Sequence, residues 1–292
     1  MFKASDVKEL REKTGAGMMD CKKALEACDG KMDEAVDWLR EKGIAKAAKK
    51  ESRIAAEGIT VGLANDNEAI IFEVNCETDF VTKNEKFNEL VKELRDTLVS
   101  EKCNNTEEAL KTKMKDGKTV QERIVEETAT IGEKISFRRF QRITKNDDEV
   151  FGIYSHMGGK ITTLVVLDGS TPEVAKDVAM HTAAMRPTYL NSDEVPSDVL
   201  DKEKNIMKEQ LLNEGKPEDR IEQILVGKVN KFYEEVCLEN QIFIKAENKE
   251  TVGKYVANNG GKLVKMVRYE VGEGMEKRNE NFAEEVQNQI NG

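Results

Sequence analysis

Aromatic residues, histidine and proline are all scarce in this sequence. Of its 292 residues, 5% are aromatic, four are proline and two are histidine, namely His156 and His181. Histidine is the side chain whose ordinary pKa lies closest to neutral pH, so two of them leave little material for acid–base catalysis. The sequence also lacks a Walker loop, a GxGxxG segment and a GxSxG segment. It therefore carries no common signature of a nucleotide-binding enzyme or a serine hydrolase.

Cysteine is present, but not in a pattern that indicates disulfides or a metal. The five cysteines are odd in number and widely spaced: Cys21, Cys28, Cys76, Cys103 and Cys237. This usage predicts reduced thiols and a cytoplasmic location. No CxxC segment and no Cys/His cluster occurs, which argues against a zinc site. We expect no metal ion and no cofactor.

Long apolar runs and excess positive charge are also missing. No run approaches the ~18 apolar residues of a membrane span, and the polar N-terminus does not resemble a signal peptide. The net charge is −10 and the sequence pI is about 5.1. An acidic surface is a poor ligand for phosphate backbones, so we expect neither a membrane nor a direct nucleic-acid partner. At ~150 residues per domain, the length predicts about two folded domains.

The first 53 residues predict a small helical domain followed by a connector. Helical spacing of apolar residues indicates three short helices between Ser5 and Gly43, with Gly43 ending the third. Residues 45–53 are rich in alanine and lysine. Their simpler interpretation is a solvated linker or an extended helix between domains, and the alternative is a basic contact to an acidic partner.

The middle of the chain repeats one plan, which predicts an α+β fold. Residues 54–143 contain a hairpin around Asn65–Asn67, then amphipathic helices, then a strand from Ile135 to Ile143. Residues 144–274 again begin with a hairpin and continue into a helix with Pro172 at its first position. We infer two related α+β core subdomains.

A helical insertion and a terminal helix complete the predicted architecture. Two runs with near-heptad spacing, divided at Gly215–Pro217, predict an antiparallel helical hairpin within residues 192–236. Strand character is predicted again at Gln241–Lys245 and Leu263–Val271. Residues 275–292, which carry Phe282 and Ile290, predict a short C-terminal helical module.

One segment stands out as a candidate functional site. Residues Glu73–Val81 lie where a strand ends and a helix begins, and Phe80 follows polar residues in that connection. The simpler interpretation is that Phe80 folds back onto its own core, and the alternative is an apolar anchor for a partner. Cys76 paired with a histidine is a conceivable nucleophile, although a buried structural thiol explains it better. His181 is similarly explained as a core histidine.

Three long motifs resemble the elongation factor Ts family, the exchange factors of elongation factor Tu. They are Val7–Leu25, Glu73–Val81 and Arg268–Gly274, in the family's order and in a chain of the right size. The resemblance implies a ubiquitin-associated-like N-terminal domain, two related core subdomains, an inserted coiled-coil hairpin and a C-terminal helical module. It implies binding to elongation factor Tu in its GDP-bound and nucleotide-free states.

The resemblance also implies roles for particular residues. In the family, the segment matching Thr78, Asp79, Phe80 and Val81 enters the partner near its nucleotide and disturbs the magnesium and phosphate environment. Further positions match partner contacts: Arg11, Met18, Met19, Ile131, Gly132 and His156. No residue is carried over from the helical hairpin. We expect an exchange factor without covalent chemistry; the alternatives are a non-catalytic scaffold or chaperone-like binder of a G protein, and a thiol enzyme using Cys76.

Overall fold

The computed structural model of the chain describes residues 2–14 and 16–276. The predicted C-terminal module at 275–292, including Phe282 and Ile290, lies almost entirely outside these residues. Within them the chain has an α+β fold, as predicted, and forms two compact units. Among the described residues, the first unit contains those up to Val61, Phe72–Arg142 and 270–276; the second contains Gly62–Ile71 and Ile143–Tyr269. Of the described residues, none belongs to a helix long and apolar enough to cross a membrane.

Three helices open the first unit, as the sequence predicts. They are α1 (Ala4–Thr14), α2 (Met18–Ala27) and α3 (Met32–Ala48). Their small core contains the fully buried Leu10 and Leu25, and Trp38 packs against it. Lys46 of α3 donates a hydrogen bond to Asp20 of α2 at 2.8 Å. Few large side chains are buried here, as expected for so small a helical cluster.

The predicted end of the third helix at Gly43 is wrong. Helix α3 continues through Gly43 and reaches Ala48, so the first four residues of the 45–53 segment are helical and the remaining five are not. A Cβ placed on Gly43 would lie 3.2 Å from the Cβ of Ala129. The glycine therefore permits close packing between two helices, and it does not adopt the left-handed conformation that ends a helix.

The next part of the chain contains three strands and three helices, and the strands lie partly in each unit. In chain order the elements are β1 (Glu57–Asn65), β2 (Glu68–Cys76), α4 (Glu85–Ser100), α5 (Thr106–Lys111), α6 (Val120–Ile131) and β3 (Ser136–Thr144). The strands form a sheet in the order β1-β2-β3. The amphipathic face predicted for α4 is confirmed, with Phe87, Leu90 and Leu94 fully buried. Thr119 and Glu122 form the predicted capping box of α6. The short helix α5 was not predicted.

The second unit repeats the arrangement of a hairpin followed by a helix. Its elements are β4 (Glu149–His156), β5 (Ile161–Asp168), α7 (Pro172–Met185), α8 (Ser197–Asn213), α9 (Glu218–Val236), α10 (Val252–Asn258) and β6 (Lys262–Glu270). Strands β4 and β5 are antiparallel, pairing Glu149 with Asp168 at one end and His156 with Ile161 at the other. Their sheet has the order β4-β5-β6.

Helix α7 lies close against β4, and Gly152 makes this possible. A Cβ at Gly152 would lie 2.1 Å from the carbonyl group of Ala175, inside the van der Waals radius of the helix backbone. The predicted start of α7 is confirmed: Thr171 caps it, and proline occupies the first turn. Buried residues of α7 and β5, including Val178 and Val165, share one apolar core.

The two predicted helices of the hairpin are confirmed as α8 and α9, which contact each other. The four residues between them include Gly215 and Pro217. Leu211 and Ile221 are the most deeply buried side chains of the pair. Lys208 and Glu222 add an exposed ion pair with atoms 3.5 Å apart.

The strand predicted at Gln241–Lys245 is wrong, whereas the strand predicted at Leu263–Val271 is confirmed as β6. The first segment has a single bridge, between Ile242 and Thr251. Phe243 is buried, but Ile242 and Ile244 are largely exposed. The segment therefore has the alternating apolar pattern of a strand, but no neighbouring strand in the described part of the chain pairs with it to form a ladder. Helix α10 was not predicted.

Candidate functional site

The connection between β2 and α4 forms a short, well-anchored turn. Strand β2 ends at Cys76, and Asn84 caps α4 by accepting a hydrogen bond from the backbone N–H of Lys86 at 2.9 Å. Between these points Val81–Lys83 forms one turn of 3-10 helix. We call Thr78–Val81 the exchange turn, after the role that the family resemblance implies for it. Val81 is buried against the first unit, whereas Asp79 and Phe80 face solvent.

Phe80 is the most exposed large apolar side chain of the described residues, with 77% of its surface accessible. Its neighbours hold the backbone in place, because the N–H of Lys83 donates to the carbonyl of Phe80 at 3.1 Å. The Lys83 ammonium lies 6.0 Å from the centre of the phenyl ring. The ring does not fold back onto its own core, so the simpler interpretation made from the sequence is wrong.

Asp79 presents a carboxylate next to this ring. Its backbone carbonyl accepts a hydrogen bond from the Thr82 hydroxyl at 2.6 Å, which closes the turn. Within the described residues no hydrogen bond or ion pair engages the Asp79 carboxylate. An acidic group and an apolar ring thus project together from one rigid turn.

The first residue of the turn is held by a residue far away in the sequence. Glu133 accepts hydrogen bonds from the Thr78 backbone N–H at 2.9 Å and from the Thr78 hydroxyl at 2.7 Å. In the opposite direction, Glu77 accepts a bond from the backbone N–H of Lys134 at 2.6 Å. Arg53 also pairs with the Glu77 carboxylate, at 3.2 Å.

These bonds bring two predicted contact residues, Ile131 and Gly132, to the exchange turn. Gly132 follows α6 in a left-handed conformation with φ of 90°, and it is exposed. Ile131, the last residue of α6, is half-buried. Because Glu133 comes next in the chain, the end of α6 and the turn form one local structure.

The predicted contacts of the N-terminal helices are all exposed. Arg11 lies near the end of α1, and Met18 and Met19 begin α2. The two methionines expose 56% and 64% of their surface. Adjacent exposed methionines offer a flexible, polarisable contact area for a partner protein.

His156, the remaining predicted contact, belongs to the second unit. It is the last residue of β4 and is exposed, and its Nδ1 lies 3.1 Å from the hydroxyl of Tyr154. The Tyr154 ring stacks on the imidazole with a centre-to-centre distance of 5.9 Å. Met157 follows in a left-handed turn and is 72% exposed.

A family model described as elongation factor TS matches residues 77–273 of the chain. This span is more than half of the 292 residues.

The chain belongs to the elongation factor Ts family.

Membership of the elongation factor Ts family implies an exchange factor for elongation factor Tu in translation elongation. The matched span begins at Glu77, so it includes the whole exchange turn, the end of α6 and His156. The contact residues predicted on α1 and α2 precede it.

In this elongation factor Ts family member, Cys76 and His181, one of the two histidines that could have served as its base, have structural roles. Cys76 is buried, and its Sγ lies 3.1 Å from the carbonyl of Thr78. His181 is fully buried between the Oε1 of Gln241 at 3.0 Å and the backbone N–H of Ile244 at 3.2 Å. Burial lowers the pKa of His181 below its ordinary value. The backbone donor on Nδ1 fixes the neutral tautomer with the proton on Nε2.

No group of three or more His, Cys, Asp or Glu side chains in residues 2–14 and 16–276 is arranged to hold a metal ion.

Two carboxylates with clear structural roles were not predicted from the sequence: Glu133, which supports the turn, and Glu73, which lies earlier in β2. Glu73 is fully buried in β2 and accepts bonds from Arg138 at 3.1 Å and Arg139 at 2.6 Å. The backbone N–H of Gly272 donates to the same carboxylate at 2.8 Å. One signal was available for Glu73, a lone acidic residue inside the apolar run Ala69–Val74. No comparable signal marks Glu133.

Proposed function

We propose that this protein binds GDP-bound elongation factor Tu and accelerates GDP release by inserting the exchange turn near the nucleotide. Phe80 enters the partner as an apolar wedge, and Asp79 places a carboxylate beside the magnesium and phosphate groups. The observation that carries the proposal is the 77% exposure of Phe80 on a turn whose two ends are fixed. An exposed aromatic ring gains most by burial in a partner.

The fixed ends of the turn support this role. Val81 is buried at one end, and Thr78 is held by two hydrogen bonds at the other. A partner therefore meets side chains that are already positioned, and little conformational freedom is lost on binding. More of the binding free energy remains available to oppose nucleotide binding.

The proposal requires no covalent chemistry in this protein. Nucleotide exchange needs a free-energy coupling between two binding events, and that coupling is reciprocal. The partner holds its nucleotide through backbone amides, a lysine and magnesium. Displacing groups around the magnesium weakens that hold, and each ~1.4 kcal/mol of coupling loosens the nucleotide about tenfold.

The remaining predicted contacts extend the interface in this proposal. Arg11 and the two methionines of α2 provide one contact area, and Ile131 and Gly132 lie beside the exchange turn. His156, with Tyr154 stacked on it, provides a contact from the second unit. In this proposal the protein acts in the cytoplasm with its partner, and it contacts neither nucleic acid nor a membrane directly.

We also propose the family architecture for the described chain. Residues 1–53, with α1–α3, form the ubiquitin-associated-like domain and its connection. The sheets β1-β2-β3 and β4-β5-β6 belong to related subdomains at 54–143 and 144–274, since each contains a hairpin followed by a helix. Helices α8 and α9 form the coiled-coil hairpin inserted at 192–236.

Stopped-flow release of a fluorescent GDP analogue from purified elongation factor Tu tests the function. Wild-type protein is expected to accelerate release. Burying a phenylalanine side chain contributes about 1.5–3 kcal/mol, so Phe80→Ala at saturating concentration should slow release by about 10- to 100-fold. Val226→Ala removes another exposed apolar side chain, on α9, and serves as the matched control.

Three results would contradict parts of the proposal. Release at the wild-type rate with saturating Phe80→Ala would show that the ring is not the wedge. Tight binding of the wild-type protein without faster GDP release would support the scaffold or chaperone-like alternative instead. Loss of activity in Cys76→Ser with an unchanged fold would revive the thiol hypothesis.

A further inference from the structure

Glu133 spans 55 residues of sequence to hold the start of the exchange turn. Its two carboxylate oxygens accept separate bonds from Thr78, one from the backbone N–H at 2.9 Å and one from the hydroxyl at 2.7 Å. We propose that Glu133 is a positioning residue for nucleotide exchange, which acts by fixing the direction in which Asp79 and Phe80 project. This inference rests on the proposed function of the turn.

The position of Glu133 is itself fixed by the end of α6. Gly132 takes the left-handed conformation after the helix and turns the chain toward Thr78. Two residues after Glu133, the backbone N–H of Ile135 donates to the hydroxyl of Thr128 in α6 at 3.1 Å. The carboxylate therefore projects from a segment secured on both sides.

A reciprocal bond strengthens the arrangement. Glu77 accepts from the backbone N–H of Lys134 at 2.6 Å, while Glu133 accepts from Thr78. The Glu77 side chain is largely buried, at 9% exposure, so its bond is protected from water. Hydrogen bonds from N–H groups to carboxylates are stronger than bonds between neutral groups. Each segment thus supplies a carboxylate acceptor to the other, Glu133 to Thr78 and Glu77 to Lys134.

The bonds between Thr78 and Glu133 matter because Asp79 and Phe80 make few contacts of their own. Both side chains face solvent, and Val81 secures only the far end of the turn. Without Glu133, the near end gains backbone freedom, and the partner must order it on binding. The wedge would still reach its partner, but it would spend less time in the productive orientation.

Two variants of Glu133 test the inference by GDP release from elongation factor Tu. In Glu133→Ala both bonds to Thr78 are lost. The GDP release rate at saturating concentration of the variant should fall about tenfold, which corresponds to the lower end of the free energy expected for a hydrogen bond to a charged group. In Glu133→Gln the amide oxygen still accepts from the Thr78 N–H, and the amide N–H still meets the hydroxyl. The release rate with Glu133→Gln should therefore be close to that of the wild-type protein.

Glu108→Ala is the matched control. Glu108 accepts from the backbone N–H of Asn104 at 2.8 Å and from the side chain of Asn105 at 2.9 Å, so it closes a different turn with the same kinds of bond. Its loss should leave the saturated rate unchanged. Thermal unfolding by circular dichroism establishes that each variant is folded. Partial unfolding alone would raise the half-saturating concentration without lowering the rate at saturation.

A double-mutant comparison separates this inference from the proposed function. If Glu133 acts through the ring, Glu133→Ala should slow release much less when combined with Phe80→Ala than it does alone. A full additional loss in that background would overturn the positioning role. A normal rate for Glu133→Ala with a slow Phe80→Ala would also overturn it, while leaving the wedge intact. A normal rate for Phe80→Ala would refute the wedge itself.

Discussion

Replacing Glu73 by glutamine removes a buried negative charge from the centre of the first unit. The wild-type carboxylate is fully buried and receives bonds from two guanidinium groups, Arg138 and Arg139. It also receives bonds from the Asn75 amide at 2.9 Å and the Gly272 N–H at 2.8 Å. Glutamine keeps one acceptor oxygen, but its amide group would face donors. At least one guanidinium then loses its anionic partner.

The expected cost follows from this geometry. Removing one partner of a buried ion pair destabilises a protein by about 3–5 kcal/mol, chiefly because the remaining charge stays buried without compensation. The two arginine side chains are about a quarter exposed, so water solvates them in part. We therefore expect a loss near the lower end, about 3 kcal/mol of unfolding free energy.

Urea unfolding followed by circular dichroism measures this loss. With an m-value of about 1–3 kcal/mol/M, the midpoint of the transition that reports the first unit should fall by about 1 M or more. Glu89→Gln is the matched control, because Glu89 is exposed on α4 and a surface change of this kind costs less than about 0.5 kcal/mol. Equal midpoints for the two variants would refute the reasoning, since the buried network would then make no net contribution.

Two further predictions concern the second unit. Gly152→Ala should destabilise the folded protein by about 1–3 kcal/mol or more, because the new methyl group collides with the backbone of α7. Gly227→Ala in α9 places its methyl group in open space and should stabilise the protein by up to about 1 kcal/mol. Thermal unfolding of the two variants compares these effects. Burial lowers the pKa of His181, so the unfolded state binds a proton more readily and stability should fall as pH decreases below about 6.5. Urea titrations at pH 7.5 and 5.5 should show a larger decrease for wild type than for His181→Gln, and equal decreases would exclude His181 as the cause.

Local patterns predicted most of the regular structure. The cap and proline of α7, the capping box of α6 and the amphipathic face of α4 each depend on residues within a few positions of one another. The errors arose where distant residues decide the outcome. Gly43 packs against a helix more than eighty positions later in the chain, and Ile242 lacks a partner strand. Neither contact can be predicted from the residues next to Gly43 or Ile242 in the sequence.

The candidate site divides in the same way. A phenylalanine among polar residues in a connection marked Phe80 as an anchor candidate, but only the structure shows that the ring faces solvent. The supports of the turn were invisible to pattern analysis. Glu133 is one of many glutamates in an acidic chain, and its role depends on a bond to Thr78 across 55 positions.

Because α3 is continuous through Gly43, it forms a rigid connection between the N-terminal core and α6 within the first unit. Its first half packs in the N-terminal core through Trp38, and its later part lies on α6, where Arg40 also pairs with Glu122 at 3.6 Å. Each residue added to an α-helix rotates everything beyond it by about 100°. One inserted residue near Gly43 would therefore swing α1 and α2 around the helix axis and re-aim Met18 and Met19, whereas a flexible linker would absorb it. The number of residues in α3 thus fixes the angle between the exposed methionines of α2 and helix α6.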